Sequence, residues 1–92
     1  MPKTDYKYIR FIETEKKPKT SVWECRNKES DFLLGVVKYY GPFRKYSWFP
    51  ESNTVFEFTC MSNINQFLSE VEEERKANAE KLRKEAQLKF YE

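Results

Sequence analysis

The chain is predicted to be an α+β protein, an antiparallel sheet of four to five strands in a meander packed against one long C-terminal helix. Three observations predict this. Short runs before residue 60 alternate apolar and polar residues with period two, as half-buried strands do. The connections between those runs are only a few residues long, too short for a helical crossover, so neighbouring strands must run antiparallel. After Cys60 the spacing changes: Ile64, Phe67, Leu68 and Val71 recur at helical intervals, and no proline or glycine follows.

Taken in order, residues 6–13 form the first strand, with Ile9 and Phe11 on one face and Tyr6, Tyr8, Arg10 and Ile12 on the other. Residues 14–19 lack periodicity and hold Lys16, Lys17, Pro18 and Lys19, which reads as a solvated loop. Residues 21–27 return as a second strand that turns Trp23 and Cys25 away from Val22, Glu24 and Arg26, with Trp23 toward the core. A polar turn over residues 28–31 leads to the central hairpin, residues 33–50, in which Gly41 and Pro42 supply the reversal. Alternation on its return strand places Arg44, Tyr46 and Trp48 on one face and Phe43, Lys45, Ser47 and Phe49 on the other. Residues 54–60 read as a fifth strand with Phe56, Phe58 and Cys60 inward, and Ser62 is placed as the helix N-cap. A helix of about 30 residues spans ~45 Å, longer than a domain of this size is wide, so its end must overhang, fray or meet a partner. Residues 1–75 are accordingly expected to form the α+β domain, and residues 76–92 a helical extension.

Composition restricts the chemistry. The net charge is +2, too small to argue nucleic-acid binding alone, and the positive excess lies in the aromatic part before residue 60. There is no histidine, which excludes imidazole acid-base work, Cys-His nucleophiles and Cys/His zinc sites. Glycine-rich phosphate loops are absent as well, with Gly35 and Gly41 the only glycines. No enzyme and no cofactor are therefore expected. Cys25 and Cys60 are weak grounds for a disulfide, and no signal-peptide or membrane-spanning run is visible, so a cytoplasmic protein with free thiols is expected.

Four features are candidates for function. Tyr39, Tyr40, Arg44, Tyr46 and Trp48, with Phe43 beside them, combine rings that can stack a base with a guanidinium that can hold a phosphate. The plainer alternative is that the rings form the core, with Arg44 lying over them. The lysines and arginines of the first half can track a phosphate backbone, but Asp5, Glu13, Glu15, Glu24 and Glu29 interleave them as on any solvated surface. Glu70, Glu72, Glu73 and Glu74 point around a helix axis instead of converging, so no metal site is expected there. Leu82, Ala86 and Phe90 make a thin apolar stripe near the end of the chain. It suits either a partner or second copy, or a flap folded back on the sheet.

The run LGVVKYYGPFRKYSWFP, followed by NTVF and, after Cys60, by INQFL, resembles a family of small proteins encoded by bacteriophages and bacteria. That family's pattern reads roughly LG-x-I/V-x-WY-x-x-WR-x-Y-x-FFP, then TVF and an amphipathic helix, and it covers residues 34 to 71. Leu34, Gly35, Tyr40, Arg44, Tyr46, Phe49 and Pro50 match it, while Tyr39, Phe43 and Trp48 replace one aromatic by another. The resemblance implies a phage-like origin and a compact α+β unit but no activity; if the origin is viral, the cytoplasm expected is the host's.

Together these readings lead to a small binding protein that uses the aromatic-Arg face for a nucleotide or nucleic acid, with a counter-defence role if the origin is viral. The alternative is a protein-interaction module, an inhibitor of a host protein or an oligomeric assembly unit, acting through the helix and exposed aromatics. Nucleic acid or nucleotide, a host protein and further copies of the chain are the expected partners, and a membrane is not.

Overall fold

The computed structural model describes residues 2–91, with side chains through residue 85. Its elements are β1 (Ile9–Lys16), β2 (Ser21–Asn27), β3 (Leu33–Tyr40), β4 (Lys45–Pro50) and α1 (Phe58–Tyr91). The strands pair antiparallel in the order β1-β2-β3-β4, a meander, and α1 lies across one face. This is the α+β architecture that alternation and short connections predict.

Cross-strand register sorts the side chains. Ile9, Phe11, Cys25, Gly35, Val37, Tyr39, Tyr46 and Trp48 share the face beneath the helix. From α1, Ile64, Phe67 and Val71 close on them and are buried, as the helical spacing predicts. Phe67 is the centre of the core: fully buried, it stacks on Phe11 with centroids 3.8 Å apart and meets Trp23 edge to face at 5.2 Å. Arg10, Ile12, Glu24, Arg26, Val36, Lys38, Tyr40, Lys45 and Phe49 share the opposite face, which no second layer covers among the described residues.

Four sequence expectations are corrected. The fifth strand does not exist: residues 54–57 have no regular structure and Phe58 opens the helix, so the sheet has four strands and β4 is an edge. Phe58, expected inward, is 85% exposed, whereas Phe56 does reach Trp48, edge to face at 5.6 Å. The period-two appearance of residues 56–60 is accidental. Cys60 belongs to the helical stripe with Ile64, Phe67 and Val71 and packs, half-buried, against the core.

The N-cap is likewise not Ser62. The Cys60 N–H donates to Glu57 Oε1 at 2.6 Å, satisfying one of the free donors of the first turn. Backbone N–H bonds from Thr59 and Cys60 hold the Glu57 carboxyl below its ordinary pKa.

The third correction concerns the start of the chain. β1 begins at Ile9 instead of Tyr6 and runs on to Lys16 through a bulge between Glu13 and Glu15, which shortens the expected loop. Residues 4–6 fold back on β1 through Tyr6 N–H to Ile9 O (3.0 Å) and Phe11 N–H to Thr4 O (2.9 Å). Strand alternation therefore does not apply to Tyr6. It is buried on the core side, with its ring edge against Phe11, and burial followed by Glu70 pushes its phenol up to about 12.

The fourth correction lies at the hairpin tip. Tyr40 O accepts from Phe43 N–H (3.1 Å) and Arg44 N–H (2.9 Å), and the left-handed residue that closes the loop is Arg44, at φ 56°, instead of Gly41. Arg44 thus belongs to the turn and not to the strand face with Tyr46 and Trp48.

At the other end, α1 outruns the sheet. The molecule measures 54 × 25 × 21 Å, and every side chain described from Lys76 to Glu85 is exposed.

Candidate nucleic-acid interface

The residues expected to form one aromatic-Arg face are divided between three places. Tyr39, Tyr46 and Trp48 lie under the helix. Tyr46 is a strut: its hydroxyl accepts from Ser21 N–H at 2.8 Å, and its own N–H donates to Glu72 Oε1 at 2.6 Å. Trp48 lies over Gly35, where any side chain would collide with the indole. Neither ring can take a base without repacking the core. Arg44 sits exposed at the tip, and its engaged group is the carbonyl, which accepts from Arg75 Nη2 at 3.4 Å.

Tyr40 is different. As the neighbour of Tyr39 on a strand it points to the open face, where Phe43 and Phe49 join it edge to face at 5.0 and 5.8 Å. Phe43 is 69% exposed and Tyr40 38% exposed, so a ring surface remains for a ligand. Lys38 Nζ stands 4.6 Å over the Phe49 ring, and Lys45 pairs with Tyr40 across the ladder. Neither Lys38 nor Lys45 is in an ion pair among the described residues, so this corner is cationic and aromatic. Further along the same face Arg26 is paired with Glu24 at 2.8 Å, and Arg10 with Asp31, so their charges are largely offset.

Sequence reasoning selected Tyr40 and Phe43 but missed Lys38 and Phe49. The signal was present: alternation from Tyr40 backwards reaches Lys38 and Val36, and hairpin pairing brings Phe49 opposite Val36. What was lacking was knowledge of which face the helix takes.

The other candidates are placed as follows. Leu82 is 50% exposed on the overhanging helix, and the side chains of Ala86 and Phe90 lie outside the described residues. Glu72 does not join its acidic neighbours; it holds Arg75 through both carboxylate oxygens. Cys25 is buried and Cys60 half-buried, both free, and burial first, with the Cys60 charge second, pushes Cys25 up to about 12. Among the described residues no helix is long and apolar enough to cross a membrane.

Over 70 residues, 75% of its length, the chain is 31% identical to an uncharacterized 9.3 kDa protein of Acholeplasma phage L2, and the match covers 90% of that protein. The chain belongs to the family of this small phage protein. No protein-family model matches it, and no solved structure does.

Proposed function

We propose that this phage-type chain is a non-enzymatic binding protein that takes single-stranded nucleic acid on the open face of its sheet. The observation that carries the reading is the corner of Tyr40, Phe43 and Phe49 flanked by Lys38 and Lys45. Exposed rings stack on any base, while lysines that make no ion pair among the described residues attract the phosphates between bases. An open sheet suits a strand lying along it better than a single nucleotide, which a flat surface would leave mostly solvated. Binding of this kind in a phage protein fits a counter-defence role in the host cytoplasm.

The test is anisotropy of labelled DNA and RNA single strands of about ten nucleotides, a length within the range bound by small single-strand-binding folds. Binding is expected at low salt and weakens as salt rises, with a slope of about −0.7 per phosphate neutralised. Tyr40→Ala should cost about 1–3 kcal/mol of affinity. Lys38→Ala should flatten the salt slope, and Tyr46→Phe should leave binding unchanged. No binding at low salt, or binding indifferent to Tyr40 and Lys38, refutes the proposal.

A second reading has its own observation in the overhanging helix with half-exposed Leu82: a protein-interaction or self-assembly module. It predicts that deleting residues 76–92 leaves the sheet folded but lowers the mass seen in sedimentation. A monomer before and after deletion removes the self-assembly version.

A further inference from the structure

On the helix side of the sheet, away from the Tyr40 corner, the β1–β2 loop and α1 enclose a groove of about 430 Å³. One wall is apolar, made by Tyr39, Ala79 and Leu82 with Pro18 of the loop. Cations stand around it: Lys19, Arg75 and Arg83, with no carboxylate among the described lining residues. Lys19, Thr20, Arg75 and Asn78 also line an adjoining groove of about 260 Å³, which is mixed in charge, with Glu13 and Glu74 beside Lys16 and Lys17. Acidic lining residues are therefore confined to the adjoining groove, while here Lys19 and Arg83 make no ion pair among the described residues and Arg75 is paired with Glu72.

Arg75 gives this groove a preorganised donor. Its Nε and Nη2 are held by Glu72 at 3.1 and 2.9 Å, and its guanidinium lies 5.4 Å from the Tyr39 ring centroid. Nη1 makes no hydrogen bond among the described residues. A guanidinium fixed by two bonds loses little side-chain entropy on accepting an anion, and Asn78 beside it adds an amide that can donate to the same ligand. The volume lies within the range of small-molecule sites, and an apolar wall with a few convergent polar groups is their usual make-up.

We propose that the groove between the β1–β2 loop and α1 binds a small organic anion, a phosphate, sulfonate or carboxylate on a flat apolar body. The anion sits at Arg75 with Lys19 and Arg83, and the body lies against Ala79 and Leu82. This site is separate from the sheet face and does not depend on it, because adjacent Tyr39 and Tyr40 point to opposite sides of the sheet.

The probe is anilinonaphthalene sulfonate, which carries both parts of that ligand, titrated into the full chain and followed by its fluorescence. One saturable site is expected. Arg83→Glu and Lys19→Glu, both at exposed positions that hold no part of the core, should each weaken it at least about tenfold, the factor that corresponds to 1.4 kcal/mol. Phenylnaphthylamine, the same rings without the sulfonate, should bind at least as much more weakly. Tyr40→Ala should leave the probe unaffected, so a failed strand-binding experiment and a failed groove are told apart. Near-ultraviolet circular dichroism verifies that each variant keeps its packed core. Absence of a saturable site, equal affinity for the uncharged probe, or indifference to both charge reversals overturns the assignment.

Discussion

Replacing Gly35 by alanine tests how the sheet meets Trp48, one of its two tryptophans. A Cβ built at Gly35 lies 2.5 Å from Trp48 Cη2, 2.6 Å from Cζ2 and 2.8 Å from Phe49 O. Carbon atoms pack at about 3.5–4.0 Å, so the indole must lift by about 1 Å. It cannot lift freely, because Phe56 meets it on one side, and Phe49 O belongs to the paired backbone of β4. Overpacking of this kind costs about 1–3 kcal/mol. Alanine normally gains about 0.5–1 kcal/mol over glycine inside a strand, so the net loss is about 0–2.5 kcal/mol, centred near 1 kcal/mol, and the sign is opposite to that of an unobstructed site. For a domain of this size each kcal/mol moves Tm by roughly 4–8 °C. Urea unfolding followed by tryptophan fluorescence reads the stability, since Trp23 and Trp48 both pack against the core. In a Trp48→Leu background the penalty should shrink, leaving only the crowding against Phe49 O. A Gly35→Ala chain as stable as the parent, with Trp48 present, refutes the packing argument.

Other substitutions probe the remaining layers. Phe67→Ala, which removes the fully buried centre of the core, should cost about 3–5 kcal/mol in urea unfolding, whereas Phe58→Ala, at an exposed position, should stay within about 0.5 kcal/mol. Arg44→Gly should leave the fold intact and raise stability by up to about 1 kcal/mol in the same assay, because glycine meets no Cβ penalty at φ 56°. Burial pushes the Glu72 carboxyl up, but bonds from Arg75 and from the Tyr46 N–H, together with the Arg75 and Lys76 charges, leave it below the ordinary 4.5. A depressed carboxyl contributes stability above its unfolded pKa and loses it as pH falls through the folded value, so Tm should drop on acidification below about 4.5. Glu72→Gln should flatten that acid limb and cost about 1–2 kcal/mol at neutral pH, and identical pH profiles for both chains would show the latch to be idle.

Much of the architecture is local and was legible in the chain. Period-two runs at Ser21–Asn27 and through the hairpin, joined by short polar turns, admit only antiparallel neighbours, and the Ile64, Phe67, Leu68, Val71 stripe admits only a helix with one buried face. Tertiary structure alone decided which face of the hairpin that helix covers. Alternation separates Tyr39 from Tyr40 but is symmetric between the two faces, and a single helix can bury only one. The choice buried Tyr46 and Trp48 and left Tyr40 in the open with Lys38 and Phe49, which moved the candidate site to the other side of the sheet. Residues 56–60 fit both periods, and the structure settles it for the helix from Phe58 on, with Cys60 packed half-buried against the core and Phe58 exposed. Tyr6 and Arg44 departed from alternation because each sits where the chain reverses, and the side-chain direction there follows backbone hydrogen bonds that no linear pattern encodes.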